Sequence, residues 1–275
     1  MPRLAVLGHP VAHSRSPAMQ NAALAQLGLA DEWRYEAIDV APEAFEACVR
    51  ALPAKGFAGA NVTVPHKGVA LAVAEMATEM AREIGAANTL VFAPGQTHAH
   101  NTDAGGLIAV LPSDLHGRRA LVLGAGGAAR AAIWALGALG AEVEVWNRTV
   151  ARAQEITIEM DTQSVHIQVA ESPLEIDQDA YEVIVNTTAV GLHGEDPFEH
   201  LPLRREGFRP GQVVVDMVYG DVPSTLLAAA TAAGATTIDG IEILVQQGAL
   251  SLQIWTGREA PVEAMRAAAY SLGDR

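Results

Sequence analysis

Leu121-Val122-Leu123-Gly124-Ala125-Gly126-Gly127-Ala128-Ala129 decides the fold of this chain. Three apolar residues run into a glycine-rich turn, and an alanine-rich stretch at helical spacing follows, Gly127–Leu139. A strand, a Gly-x-Gly-x-x-Ala turn and a helix open a dinucleotide-binding βαβ unit. Gly124 permits the tight turn, Gly126 lets backbone approach a pyrophosphate, and Ala129 lets the helix pack close to the strand. The helix N-terminus adds unpaired N–H groups and partial positive charge. Gly124, Ala125, Gly126, Gly127 and Ala128 are thus candidate cofactor-binding residues. The bland alternative is a plain tight turn, against which the flanking strand and helix argue.

The end of the next strand selects the cofactor. A unit that binds NAD places Asp or Glu about 20 residues on, to hold the ribose hydroxyls. Here Glu142-Val143-Glu144-Val145-Trp146 ends in Asn147-Arg148-Thr149, with Arg152 one turn later. A carboxylate would repel a 2′-phosphate, whereas Arg148 and Arg152 attract it and hydrogen-bond it in a fork. This pattern predicts NADP over NAD, unless both arginines are ordinary helix-surface charges.

Outward from this unit, apolar runs alternate with helical stretches. Leu4–Leu7, Ala58–Val64, Thr89–Phe92, Val143–Trp146, Val183–Val185 and Val213–Val215 read as further strands, and Pro17–Leu27, Pro42–Leu52 and Glu242–Trp255 as helices. The alternation predicts an α/β fold of parallel sheets with helices on both faces. More than a hundred residues precede the glycine turn, which predicts two domains with a cleft between them. One is an N-terminal α/β substrate domain, residues 1–103 joined by 240–275. The other is a Rossmann-type doubly wound dinucleotide domain, residues 104–239.

Composition narrows the function. A net charge of -14 argues against a nucleic-acid duplex as partner, since phosphate neutralisation needs a basic face. Hydrophobic residues make up 50% and mean hydropathy is +0.17, which disfavours disorder. Cys48 is the single cysteine, so no internal disulfide forms. The N-terminus reads as a strand and not a signal peptide, and no apolar stretch is long enough for a bilayer. The expectation is a soluble cytoplasmic protein without membrane partners, with a homodimer left open. Nine histidines include no H-E-x-x-H pattern and no cysteine partner, so no metal is expected.

The chemistry points to Asn61-Val62-Thr63-Val64-Pro65-His66-Lys67. The chain holds only two lysines, Lys55 and Lys67. Arg stays charged, whereas Lys can shed its proton, so a lysine at the end of an apolar strand is a candidate acid/base group. The alternative is a solvated lysine at a helix start. Polar clusters mark other strand ends: His13-Ser14-Arg15-Ser16-Pro17, Asn88-Thr89, and Asn101-Thr102-Asp103-Ala104-Gly105-Gly106. Ser14 and Ser16 could bind a carboxylate, or Ser16 could cap a helix opened by Pro17. Asp103 could cap its helix and nothing more, or pair with Lys67 for proton transfer. Gln247, in an apolar helix, needs a partner if buried. Ligands in doubly wound sheets sit beyond the carboxyl ends of strands, so these clusters could converge on one site. Such a wall would suit a polyhydroxylated ligand. His66 is expected to point away from Lys67 and receives no role.

These segments, in order and over nearly the whole chain, resemble shikimate dehydrogenase. They are Gly8-His9-Pro10-Val11-Ala12-His13-Ser14-Arg15-Ser16-Pro17, Asn61 to Lys67, Gly85-Ala86-Ala87-Asn88-Thr89, Asn101-Thr102-Asp103, Gly124 to Arg130, Asn147-Arg148-Thr149 and Leu244-Val245-Gln246-Gln247-Gly248-Ala249. The resemblance implies reversible NADPH-dependent reduction of 3-dehydroshikimate to shikimate, in the biosynthesis of aromatic amino acids. It further implies that Ser14 and Ser16 bind the substrate carboxylate, with Tyr219 nearby. Thr63, Asn88 and Gln247 would hold ring hydroxyls beside Lys67 and Asp103. Gly124 to Ala128, Asn147, Arg148, Thr149, Arg152, Met217 and Gly240 would form the NADP site. Glu79 matches a position near the cofactor by spacing only. Lys67 would supply the proton and Asp103 would orient it.

One segment departs from the pattern. The family usually carries a Pro two residues after the tyrosine and a Thr-Pro before a Leu pair. This chain has Gly220-Asp221-Val222-Pro223-Ser224-Thr225-Leu226-Leu227. Two other readings stand beside the main one: a quinate/shikimate dehydrogenase of broader substrate and cofactor range, and a non-catalytic sensor of a nucleotide and a small acid.

Overall fold

A computed structural model describes residues 2–160, 165–220 and 224–271. The chain divides into two compact units, Met1–Gly106 with Leu244–Arg275, and Leu107–Ile243.

The first unit contains β1 (Arg3–Gly8), α1 (Ser16–Gln26), β2 (Arg34–Asp39), α2 (Phe45–Ala51), β3 (Phe57–Val62), α3 (Lys67–Val73), β4 (Met76–Ala77), α4 (Glu79–Ile84), β5 (Thr89–Ala93), β6 (Gln96–His100) and the start of α5 (Asp103–Val110). Its six-stranded sheet has the order β2-β1-β3-β5-β6-β4. β1 runs parallel to β2 and β3, but β5 is antiparallel to both β3 and β6. The expectation of a purely parallel sheet fails here for a local reason. Pro94-Gly95 joins β5 to β6, and Gly95 has φ +76°. Proline followed by a left-handed glycine reverses the chain in two residues, too few for a parallel crossover. Leu7, Phe45, Val49, Leu52, Val62 and Leu90 fill the core beside this sheet. β3 stops at Val62, two residues earlier than its apolar run suggests, because a turn begins there, closed by the His66 N–H donating to Thr63 O at 2.9 Å.

The second unit contains β7 (Arg119–Leu123), α6 (Gly127–Ala138), β8 (Glu142–Trp146), α7 (Val150–Met160), β9 (Ile167–Val169), β10 (Val183–Asn186), α8 (Pro197–His200), β11 (Val213–Asp216), α9 (Thr225–Ala232) and β12 (Thr236–Asp239). Its six strands are all parallel, in the order β12-β11-β10-β7-β8-β9. This is the doubly wound order, and it reverses direction between β7 and β10. The central strands β7, β10 and β11 are apolar almost throughout, as burial on both faces requires. Ala129, Ala132, Ile133 and Leu136 of α6 are fully buried, so the alanines serve close helix–sheet packing.

α10 (Gly240–Thr256) and α11 (Val262–Tyr270) complete the chain, and the division between units falls inside α5 and α10. Of the unusual segment after Tyr219, residues 221–223 lie outside the described residues. Among the described residues, no helix is long and apolar enough to cross a membrane, and no group of three or more His, Cys, Asp or Glu could hold a metal.

Candidate active site

In the first unit, Lys67 of α3, Asp103 of α5, Gln247 of α10 and Asn88 just before β5 form one hydrogen-bonded group. Lys67 is the first residue of α3, not the last of a strand. It is not solvated either: its side chain is 13% exposed, and that of Asp103 8%. Lys67 Nζ donates to Asp103 Oδ2 at 2.7 Å. Asp103 begins α5, but the oxygen that accepts the Ala104 N–H belongs to Asn101, at 3.2 Å. The Asp103 carboxylate is thereby left for Lys67 and for Asn88 Nδ2, which donates to Oδ1 at 2.8 Å. A charge pair this buried holds only if its remaining lone pairs are also satisfied, and Asn88 supplies that bond.

Asn88 is pinned in turn. Its Oδ1 accepts the Thr102 N–H at 2.6 Å, so its amino group must face Asp103 and Gln247 Oε1, the latter at 3.2 Å. Gln247 Nε2 donates to Leu244 O at 2.8 Å, which gives the buried amide its partner. Gly106 permits this arrangement, since a Cβ there would lie 2.9 Å from the Gln247 backbone nitrogen.

Thr63 lies just beyond β3, half-buried, and its N–H donates to Leu7 O at 2.9 Å. Gly8 leaves room for it: a Cβ would meet Thr63 Cγ2 at 2.4 Å. Ser16 is buried as the first residue of α1 and does not cap it; Ser14 Oγ accepts the Ser16 N–H at 3.3 Å. The loop between them is anchored by Arg15, whose buried guanidinium donates to Ala269 O at 3.0 Å. His66, expected to lack a role, is buried, with Nε2 2.7 Å from Val40 O and its ring stacked on Phe45. It fixes the turn that leads into Lys67.

Sequence reasoning missed the layer behind these residues. Asn61, Thr89, Thr102 and Ser251 are buried and mutually hydrogen-bonded, and Tyr35 OH donates to Asn61 Oδ1 at 2.7 Å. An asparagine within an apolar strand was the available signal, because a buried amide must find partners.

In the second unit, the glycine turn lies at the reversal point of the sheet. Gly124 has φ +117°, and a Cβ there would meet Thr187 Oγ1 at 2.5 Å. Only glycine fits both the backbone angle and the space. Gly124 N donates to Trp146 O at 2.8 Å, which ties the turn to the end of β8. Gly126 is the N-cap of α6, followed by Gly127 and Ala128. Asn147, Arg148 and Thr149 follow β8 directly; Asn147 Nδ2 donates to Thr149 O at 2.9 Å, and Arg148 and Arg152 are exposed. These groups fit a phosphorylated dinucleotide: a cradle that a side chain would fill, a helix N-terminus, and two exposed guanidiniums beside it.

Met217 and Gly240 also come together, since a Cβ on Gly240 would lie 2.6 Å from Met217 O. Asp216, buried, holds this stretch by accepting from Val218 N at 3.2 Å, Asn186 Nδ2 at 2.9 Å and Ser224 Oγ at 2.5 Å. Burial pushes its carboxyl pKa up, against the lowering effect of those three donors. Tyr219 lies half-buried three residues past β11. Glu79 begins α4 in the first unit, whereas the other cofactor candidates belong to the second.

Comparison with known proteins gives a consistent family. Residues 6–90 match the shikimate dehydrogenase substrate binding domain, 108–207 match shikimate / quinate 5-dehydrogenase, and 240–270 match the shikimate 5'-dehydrogenase C-terminal domain. The chain is 46% identical over 277 residues to the shikimate dehydrogenase (NADP(+)) of Anaeromyxobacter sp. strain Fw109-5, covering 98% of this chain and 96% of that one. It is similar to the crystal structure of Thermus thermophilus shikimate 5-dehydrogenase in complex with NADP(H) and shikimate, with a TM-score of 0.85, 40% identity, and coverage of 98% and 99%. It is similar also to ligand-free 5-ketofructose reductase of Gluconobacter sp. strain CHM43, with a TM-score of 0.85, 29% identity, and coverage of 98% of each chain. The fold is therefore shared with a reductase named for another substrate, whereas family models and full-length identity agree with each other: this chain belongs to the shikimate dehydrogenase family.

Proposed function

We propose that the chain catalyses the reversible NADPH-dependent reduction of 3-dehydroshikimate to shikimate. The observation that carries this reading is the Lys67–Asp103 pair, joined at 2.7 Å and held by the Asn88 amide, which also donates to Gln247. Bound NADPH supplies the hydride. Lys67 gives a proton to the alkoxide oxygen that develops at C3, and in the oxidative direction draws the hydroxyl proton away. Asp103 keeps the ammonium aimed at that oxygen. Asn88, Gln247 and Thr63 hold ring hydroxyls, so a ligand lacking one forfeits that bond. Ser14 and Ser16 bind the carboxylate, with Tyr219 nearby.

In this reading, residues 1–103 with 240–275 bind substrate. Residues 104–239 bind NADP through Gly124, Ala125, Gly126, Gly127, Ala128, Asn147, Arg148, Thr149, Arg152 and Met217, with Gly240 at the boundary. Glu79 joins them by motif spacing alone. A single thiol, Cys48, suits a reducing cytoplasm. Steady-state rates with shikimate and quinate, each with NADP and NAD, test the proposal. Shikimate with NADP is expected to give the highest kcat/KM. A preference for quinate or for NAD would favour the broader enzyme, and no turnover with any pair would leave a sensor.

A further inference from the structure

Behind the Lys67–Asp103 pair runs a buried chain of hydrogen bonds whose direction is set by main-chain groups. Asn61 Nδ2 lies 3.2 Å from the carbonyl oxygen of Asn88, which can only accept. The amino group of Asn61 therefore faces inward, and its Oδ1 must take the proton of Tyr35 OH. The same amino group lies 3.0 Å from Thr89 Oγ1 and 2.9 Å from Ser251 Oγ. The two N–H of that amino group are shared among these three acceptors. Ser251 Oγ donates to Gln247 O at 3.0 Å, and Thr89 Oγ1 to Asn88 Oδ1 at 3.2 Å. Thr102 Oγ1 closes the group, 3.1 Å from each of the other two hydroxyls, and accepts from Asn88 Nδ2 at 2.9 Å. Donation thus runs from Tyr35 to Asn61, from Asn61 to the Asn88 carbonyl, Thr89 and Ser251, and from those hydroxyls to Asn88 Oδ1 and the Gln247 carbonyl oxygen; Asn88 then donates to Asp103. Five polar residues of a packed core are here committed to one another, and each bond depends on its neighbour being turned correctly.

We propose that Tyr35 and Asn61 are positioning residues, which through the Asn88 carbonyl and the Thr89 hydroxyl fix where Asn88 meets Asp103. This rests on the dehydrogenase reading for its kinetic consequence, but not for its structural one. Without the Tyr35 hydroxyl, Asn61 Oδ1 is a buried acceptor with its donor gone. Asn61 turns to recover one, its bond to the Asn88 carbonyl is lost, and Asn88 shifts against Asp103.

The two lysines make this measurable without turnover. Lys55 is exposed, so protein labelled with lysine carrying carbon-13 at Cε gives two signals, assigned by Lys55→Arg. Tyr35→Phe keeps the ring against Trp255 (centroids 6.2 Å apart) and removes only the hydroxyl. Ser251→Ala interrupts the same chain in the middle and serves if Tyr35→Phe does not fold. The expected result is a displaced Lys67 signal with Lys55 unmoved, and kcat lowered about tenfold with KM for shikimate changed much less. A wild type inactive on shikimate whose Lys67 signal still moves in the variants would sink the reaction and leave the positioning role standing. A lower Tm with the Lys67 signal, kcat and KM all as in wild type would overturn the proposal and reduce the chain to packing.

Discussion

Lys67 Nζ lies 2.7 Å from Asp103 Oδ2, although 36 residues separate them in the chain. The bond joins the start of α3 to the start of α5. Asp103→Asn keeps the shape and removes the charge. Stripping one member from a buried pair costs about 3–5 kcal/mol. Both kcat and shikimate affinity are expected to fall, together with thermal stability. Kinetics identical to wild type would reduce Asp103 to a helix start.

Arg148 and Arg152 are exposed beside the glycine turn, where a 2′-phosphate would be the natural partner. Each charge-assisted bond lost from a bound anion costs about 1.5–3 kcal/mol. Arg148→Ala and Arg152→Ala should therefore each raise KM for NADPH roughly 10- to 100-fold, with KM for NADH nearly unchanged. Equal losses with both cofactors would argue against any contact with the phosphate.

Asp216 carries a pH signature. Burial raises its folded-state pKa above the unfolded value. A carboxyl raised in this way contributes stability that is full below the unfolded pKa and is lost as pH rises through the folded one. Asp216→Asn cannot titrate. Urea midpoints measured from acidic to neutral pH should show wild type losing ground to the variant as pH rises. Parallel curves would mean that Asp216 does not titrate in that range.

The four inner strands of the second sheet were readable from their apolar residues, and its first turn from Gly124, which no other residue replaces. The antiparallel pair β5–β6 was missed because its signal is confined to two residues, Pro94-Gly95. β2, β9 and β12 were missed for a different reason. They are outer strands, short or polar, and only partly buried, so no apolar run marks them. Near Lys67, the polar clusters were visible as interruptions of apolar runs, but their partners were not. Asn61 meets Ser251 across 190 residues, and no local period encodes that meeting. His66 shows the same limit: it reads as a neighbour of lysine until the backbone carbonyl it binds is seen.

The proposed mechanism turns on proton transfer by Lys67, and its direct test is shikimate oxidation by Lys67→Ala, followed as NADPH absorbance. General acid–base catalysis contributes about 10²–10⁴ in rate. The expected result is a loss of kcat of that order with shikimate dissociation changed little. Wild-type turnover in the variant would contradict it.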